Sequence, residues 1–148
     1  MYEDQMNPAF AGMKADAGFD RVESYPVAAD GLVYGVVVGR DANGKAVAGK
    51  GAAAVGISVH SHVPLEPLKQ GDAVSVMTRG LIWARVADGK TVAGYEAVKF
   101  NAKGELDNTA ADTLKTAVVR SVRTVDGKTL ALVELHAPTA YLLEQAVL

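Results

Sequence analysis

Gly71-Asp72-Ala73-Val74-Ser75-Val76-Met77-Thr78-Arg79-Gly80-Leu81-Ile82-Trp83-Ala84-Arg85-Val86 is the stretch that decides the fold. Gly71-Asp72 opens a turn. Ala73 to Thr78 reads as a strand, Arg79-Gly80 interrupts it, and Leu81 to Val86 resumes it. Successive side chains of a strand point to opposite faces. Ile82, Ala84 and Val86 therefore share one face, and Leu81, Trp83 and Arg85 the other. The first face belongs in a core. Trp83, large and amphipathic, is expected as a core or interface anchor.

The same rhythm extends in both directions. Leu32 to Val38 is a Val-rich run that ends at Asp41-Ala42-Asn43-Gly44-Lys45, where Asn-Gly suits the positive φ angles of a hairpin. Ala53, Val55, Ile57 and Val59 alternate with Ala54, Gly56, Ser58 and His60, which predicts a half-buried strand with one apolar face. Pro64 and Pro67 mark a loop, since proline interrupts a ladder. Asp88-Gly89 is a second hairpin-type signal. Glu96 to Phe100 is a weak strand, followed by a turn at Asn101-Ala102-Lys103-Gly104. Residues 107–114 allow one turn of helix. Thr116 to Thr124 and Thr129 to His136 are strands joined by Val125-Asp126-Gly127-Lys128, the strongest hairpin signal in the chain.

Strand signals at short intervals, with none of the crossover helices that parallel strands need, predict an all-β, mainly antiparallel β-barrel or jelly-roll-like sandwich. About seven to ten strands and less than ~15% helix are expected. The core should include Val55, Ile57, Val74, Val76, Ile82, Val86, Val118 and Leu132. Residues 1–22 show no sustained period and carry single apolar residues, so they are expected as an extended N-terminal arm. Residues 23–137 form the β-barrel domain and residues 138–148 a C-terminal tail.

Composition narrows the chemistry. The chain has 148 residues, one ordinary domain, and no cysteine, so disulfides and Cys-ligated metals are excluded. Its formal charge is −2, whereas nucleic-acid binders usually carry a basic excess. No apolar run approaches the ~20 residues of a membrane span. Neither a nucleic-acid nor a membrane partner is expected. The acidic start Met1-Tyr2-Glu3-Asp4 lacks the basic and apolar regions of a secretory signal.

Catalytic motifs are missing. Gly-Lys-Thr occurs at 89–91 and 127–129, but the glycine a P-loop needs upstream is replaced by Ala84 and Val122. Both copies read as turns followed by a β-favouring Thr. His60 and His62 share a strand face, but with His136 as the only other histidine a zinc set is not assembled. No Gly-x-Ser-x-Gly elbow surrounds any serine. Arg120 and Arg123 are expected on opposite faces, so they make no basic stripe. No catalytic residue, cofactor or metal is assigned.

At this point a resemblance enters. Ala11-Gly12-Met13-Lys14-Ala15-Asp16-Ala17-Gly18-Phe19-Asp20-Arg21-Val22-Glu23-Ser24-Tyr25-Pro26 resembles the N-terminal signature of the cement (capsid decoration) proteins of tailed phages. So do Val55-Gly56-Ile57-Ser58-Val59, the stretch 71–86, and Leu130 to Leu135. The likeness spans most of residues 11–136. It implies a non-enzymatic protein that binds the outer surface of the major capsid protein shell and stabilises contacts between its subunits. It also implies self-association, as a homodimer or homotrimer, and a place on the exterior of the virion after synthesis in the host cytoplasm. Phe10, Met13, Phe19, Tyr25, Trp83, Tyr141 and Leu142 are the candidate contacts to capsid or to a neighbouring copy. A tail or baseplate adaptor, or a small nucleic-acid-binding barrel, are the competing readings.

Overall fold

The computed structural model describes residues 9–61 and 67–136, apart from the side chains of residues 16–19. Its strands are β1 (Lys14–Pro26), β2 (Val37–Arg40), β3 (Ala46–Ala48), β4 (Ala53–Ser58), β5 (Ala73–Arg85), β6 (Ala97–Phe100), β7 (Asp112–Val125) and β8 (Lys128–Leu135). Every strand ladder is antiparallel. No helix occurs among the described residues. The order is β3-β2-β4-β5-β8-β7-β6, with β1 attached to β5.

The interrupted strand read from the sequence is one long element that changes partners. Its first half pairs with β4, Ile57 opposite Met77 and Ser58 opposite Val76. Its second half, Gly80 to Arg85, pairs with β8. The exchange falls on Thr78-Arg79-Gly80, and Gly80 has φ 126°, open to glycine alone without strain. Along the other side of β5 runs β1, whose register slips from Asp16 opposite Leu81 to Arg21 opposite Arg79. An ion pair of 2.8 Å between Lys14 and Asp20 spans that slip.

Because β5 serves two sub-sheets, its faces meet two separate cores. Ile57, Met77, Ile82, Ala84, Val86, Val98, Phe100 and Val133 pack in the larger one. Val27, Leu32, Tyr34, Val36, Leu68, Val74 and Val76 pack in the other. Adjacent Val76 and Met77 are both fully buried, one in each. Six of the eight expected core residues are buried. Val55 and Leu132 are only half-buried. Val55 sits where the β2–β4 register slips, between the pairs Val38–Gly56 and Gly39–Ala54, and so turns toward the second core.

Several expectations are corrected. β4 does not have one wet face. Ser58, on the side expected to be polar, is fully buried, and its hydroxyl donates to the Val33 carbonyl at 2.9 Å while accepting from the Val36 amide at 3.2 Å. Asp88-Gly89 makes a turn, the Lys90 amide donating to the Ala87 carbonyl, but joins no hairpin, because β5 pairs with β8, β1 and β4 rather than β6. Residues 107–114 form no helix. The Asp107 carboxylate accepts from the Thr109 amide and hydroxyl, closing a local turn that competes with helix. The ladder is not a closed barrel, since its path ends at β3 and β6. The boundary drawn at residue 22 is crossed by β1, so residues 14–22 are a strand of the sheet rather than an arm.

Two hairpins are as expected. Asp126 and Gly127 have φ of 51° and 77°, the pair of positive angles a two-residue turn demands. At the Asn43-Gly44 turn the Asp41 carboxylate accepts from the amides of Asn43 and Lys45, and Gly44 has φ 79°.

Candidate functional site

On the second face of β5 lies a third, smaller apolar cluster. Trp83 (8% exposed), Leu130 and Ala9 are buried together, and Ala11, Met13, Val125 and Leu132 pack against them. The strand register creates it: Trp83 stands opposite Leu132 and Arg85 opposite Leu130 on the β5–β8 ladder. The face division read from the sequence therefore holds, with Ile82, Ala84 and Val86 in the main core and Trp83 outside it.

The segment before β1 lies along the edge of β5 at this point. The Gly12 amide donates to the Trp83 carbonyl at 2.7 Å, and the Trp83 amide to the Met13 carbonyl at 3.0 Å. The Gly12 carbonyl accepts from the His60 amide at 2.9 Å. Gly12 has φ 80°, and a Cβ there would stand 2.7 Å from the His60 nitrogen, so only glycine fits.

Over the cluster lies Arg123, its guanidinium carbon 5.6 Å from the Trp83 ring centre. Arg120 instead pairs with Glu134 and lies 5.8 Å from the ring of Tyr95. The two arginines serve separate rings and form no continuous basic stripe. Beyond Val118, β7 has left its β6 partner, and residues 120–124 are exposed. Val122 on this ribbon and Tyr95 ahead of β6 are exposed apolar residues, at 38% and 61%.

The expected contact residues separate. Met13 and Trp83 come together in the third cluster. Phe10 is half-buried, its ring edge-on to His60 at 4.7 Å, with Tyr34 edge-on to the same His60 at 5.2 Å. Tyr25 packs on the second core and donates its hydroxyl to Glu23 at 2.6 Å. That bond raises the Tyr25 phenol above its ordinary value and, with Arg21 beside it, lowers Glu23. The Phe19 side chain, Tyr141 and Leu142 lie outside the described residues. Leu130, Val125 and Ala9 were missed. The Asp126-Gly127 hairpin carried the signal for the first two, because it fixes Arg123 opposite Leu130.

The Ser58 hydroxyl is committed to backbone, and the Asp107 carboxylate, lowered by the Thr109 hydroxyl and amide, caps a turn. Gly89 and Gly127, each opening a Gly-Lys-Thr triplet, sit in tight turns with φ of 74° and 77°. Among the described residues no three potential ligands cluster around a metal position. His62 lies outside the described residues.

Comparison with known proteins adds to this geometry. The family described as structural cement protein (E217 gp24/Pam3 gp6) matches residues 1–136. Among solved structures, a chain from the capsid of Myoviridae phage XM1 has the same fold, with a TM-score of 0.67 and 17% sequence identity. The similarity covers 90% of this chain and 94% of that one. No curated protein matches.

Proposed function

The chain belongs to the structural cement protein family of phages, and from that premise we propose that it binds the outer surface of the major capsid protein shell and stabilises contacts between shell subunits. One observation carries this reading: the family match runs over residues 1–136 and so takes in every strand of the sheet. The protein acts as adhesive area, with no catalytic step, cofactor or nucleic-acid or membrane partner. It acts on the virion exterior, after synthesis in the host cytoplasm, as a homodimer or homotrimer.

The geometry supports such a role. Half-buried Met13 and exposed Arg123 lie over the buried Trp83, and Arg side chains are among the residues enriched at interface anchors. Residues 120–124 of β7 offer an exposed strand edge with no ladder partner but β8 among the described residues. Phe10, Tyr25, Phe19, Tyr141 and Leu142 complete the proposed contact set. Each contact can be weak, because copies repeated over a shell act together.

The test is co-sedimentation of the purified protein with empty shells of its phage's major capsid protein, followed by heating the decorated and bare shells. Stoichiometric binding and a higher disruption temperature are expected. Absence of binding to shells, with binding to tails instead, would sink the capsid reading in favour of a tail adaptor.

A further inference from the structure

The partner exchange on β5 leaves a cleft. Up to Met77 the strand pairs with β4, from Gly80 it pairs with β8, and the two neighbours diverge between those points. An open cavity of about 940 Å³ occupies the gap, walled by β1 and β5 on one side and by residues 111–116 on the other. Its floor includes Phe100, Leu114 and Leu135, all buried residues of the main core.

The rim is predominantly cationic. Arg21, Lys50, Arg79 and Lys115 line the cleft against two carboxylates, Glu23 and Asp112. The chain as a whole carries −2, so this is a local reversal of its balance. Arg21 and Glu23 neutralise each other at 3.1 Å. Lys50, Arg79 and Lys115 are exposed and form no ion pair among the described residues. Three cations from distant parts of the chain, without an ion-pair partner among the described residues, thus converge on one apolar-floored cleft.

The backbone shapes the cleft wall. Of the four non-glycine residues with positive φ among the described residues, two line this cleft: Thr116 at 66° and His136 at 59°. Thr116 lies in the irregularity where β7 slips against β6, between the pairs Val98–Leu114 and Ala97–Val118, and this bulge turns Lys115 and Thr116 into the cleft wall.

We propose that this cleft is a docking groove for an extended acidic segment of the shell protein, one in which carboxylates accompany apolar side chains. This rests on the capsid reading above and gives it a specific contact. The cations would receive the carboxylates, and the floor of Phe100, Leu114 and Leu135 the apolar groups. A polyphosphate fits less well: it has no apolar groups for the floor, and Glu23 and Asp112 stand within the rim.

The experiment compares the unaltered protein with Arg79→Glu/Lys115→Glu in shell sedimentation at low and high salt. Both substitutions are at exposed positions, and circular dichroism with a melting curve checks the fold. The double variant is expected to bind about tenfold or more weakly at roughly 50 mM salt, with the gap narrowing near about 500 mM. Should the double variant melt early, Lys115→Glu alone carries the test, with a smaller loss of the same salt dependence expected. Equal binding by a folded variant would overturn the groove while leaving the capsid reading intact. Failure of the unaltered protein to bind shells would overturn both. A fluorescent DNA duplex serves as the other arm: if it binds the unaltered protein and loses affinity with the double variant, the cleft is a nucleic-acid site and the peptide proposal falls.

Discussion

The amide of Gly12 donates to the carbonyl of Trp83 at 2.7 Å, which ties the segment ahead of β1 to the middle of the β5–β8 ladder. Two more backbone bonds, from Trp83 to Met13 and from His60 to Gly12, close the same junction. Each is worth about 1 kcal/mol net. Removal of residues 1–13 should therefore cost roughly 3 kcal/mol, plus the exposure of Trp83, and lower the melting temperature. An unchanged melting curve would show that this junction contributes nothing to the fold.

Trp83 and Arg123 should separate stability from surface contact. Trp83→Ala empties the third cluster, and truncating so large a buried residue costs about 3–5 kcal/mol. Arg123→Ala loses only a cation–π contact worth about 0.5–1 kcal/mol at an exposed site. Urea titration of both variants measures the two losses, and a larger loss for Arg123→Ala than for Trp83→Ala would contradict the packing described.

Gly56 is required by close approach rather than by φ. A Cβ there would lie 2.0 Å from the Met77 carbonyl oxygen, on the β4–β5 pair that joins the two sub-sheets. Gly56→Ala must push the strands apart and should destabilise by about 3 kcal/mol. Gly44→Ala, with open space around the position, tests φ strain alone and should cost less, about 1 kcal/mol.

Ser58→Ala removes a buried hydroxyl that serves both Val33 and Val36. The Val36 amide loses that acceptor and the Val33 carbonyl that donor, so a loss of about 2 kcal/mol is expected in chemical denaturation. Ser58→Thr keeps the hydroxyl and should lose less of the hydrogen-bond contribution; an equal loss would point to packing instead.

Acid should weaken the fold in a defined window. Asp20 is held below its ordinary value chiefly by Lys14, Glu23 by Tyr25 and then Arg21, and Asp107 by Thr109. A folded pKa below the unfolded one gives stability that is present above the unfolded value. It is lost as pH falls through the ordinary carboxylate range toward the folded value. The melting temperature should be flat above about pH 5 and fall below roughly pH 4. Asp107→Asn should remove part of that slope.

Local signals in the chain were read well where one residue type dictates backbone geometry. Positive φ falls on both Asp126 and Gly127 in one turn and on Gly44 in the other, and both turns sit at hairpin tips. The alternation of Ile82, Ala84 and Val86 against Trp83 assigned the two faces of β5, because a strand has only two. Asp88-Gly89 showed the limit: the same dipeptide makes a turn without a hairpin when its flanking strand is claimed by other neighbours.

Sequence by itself determined an all-β, antiparallel chain, because short Val-rich runs between Gly, Asn and Asp turns leave no room for crossover helices. It also carried the resemblance that the family match over residues 1–136 bears out. Tertiary structure alone decided the rest. Ser58 is buried because β4 is covered on both faces, and alternation within one strand says nothing about what lies beyond it. Residues 14–22 join the sheet through ladder bonds to β5, which are backbone interactions and need no side-chain period. Lys50, Arg79 and Lys115 meet across one cleft only because β5 changes partners at Gly80, and no local pattern in a chain encodes which distant cations a strand exchange will bring together.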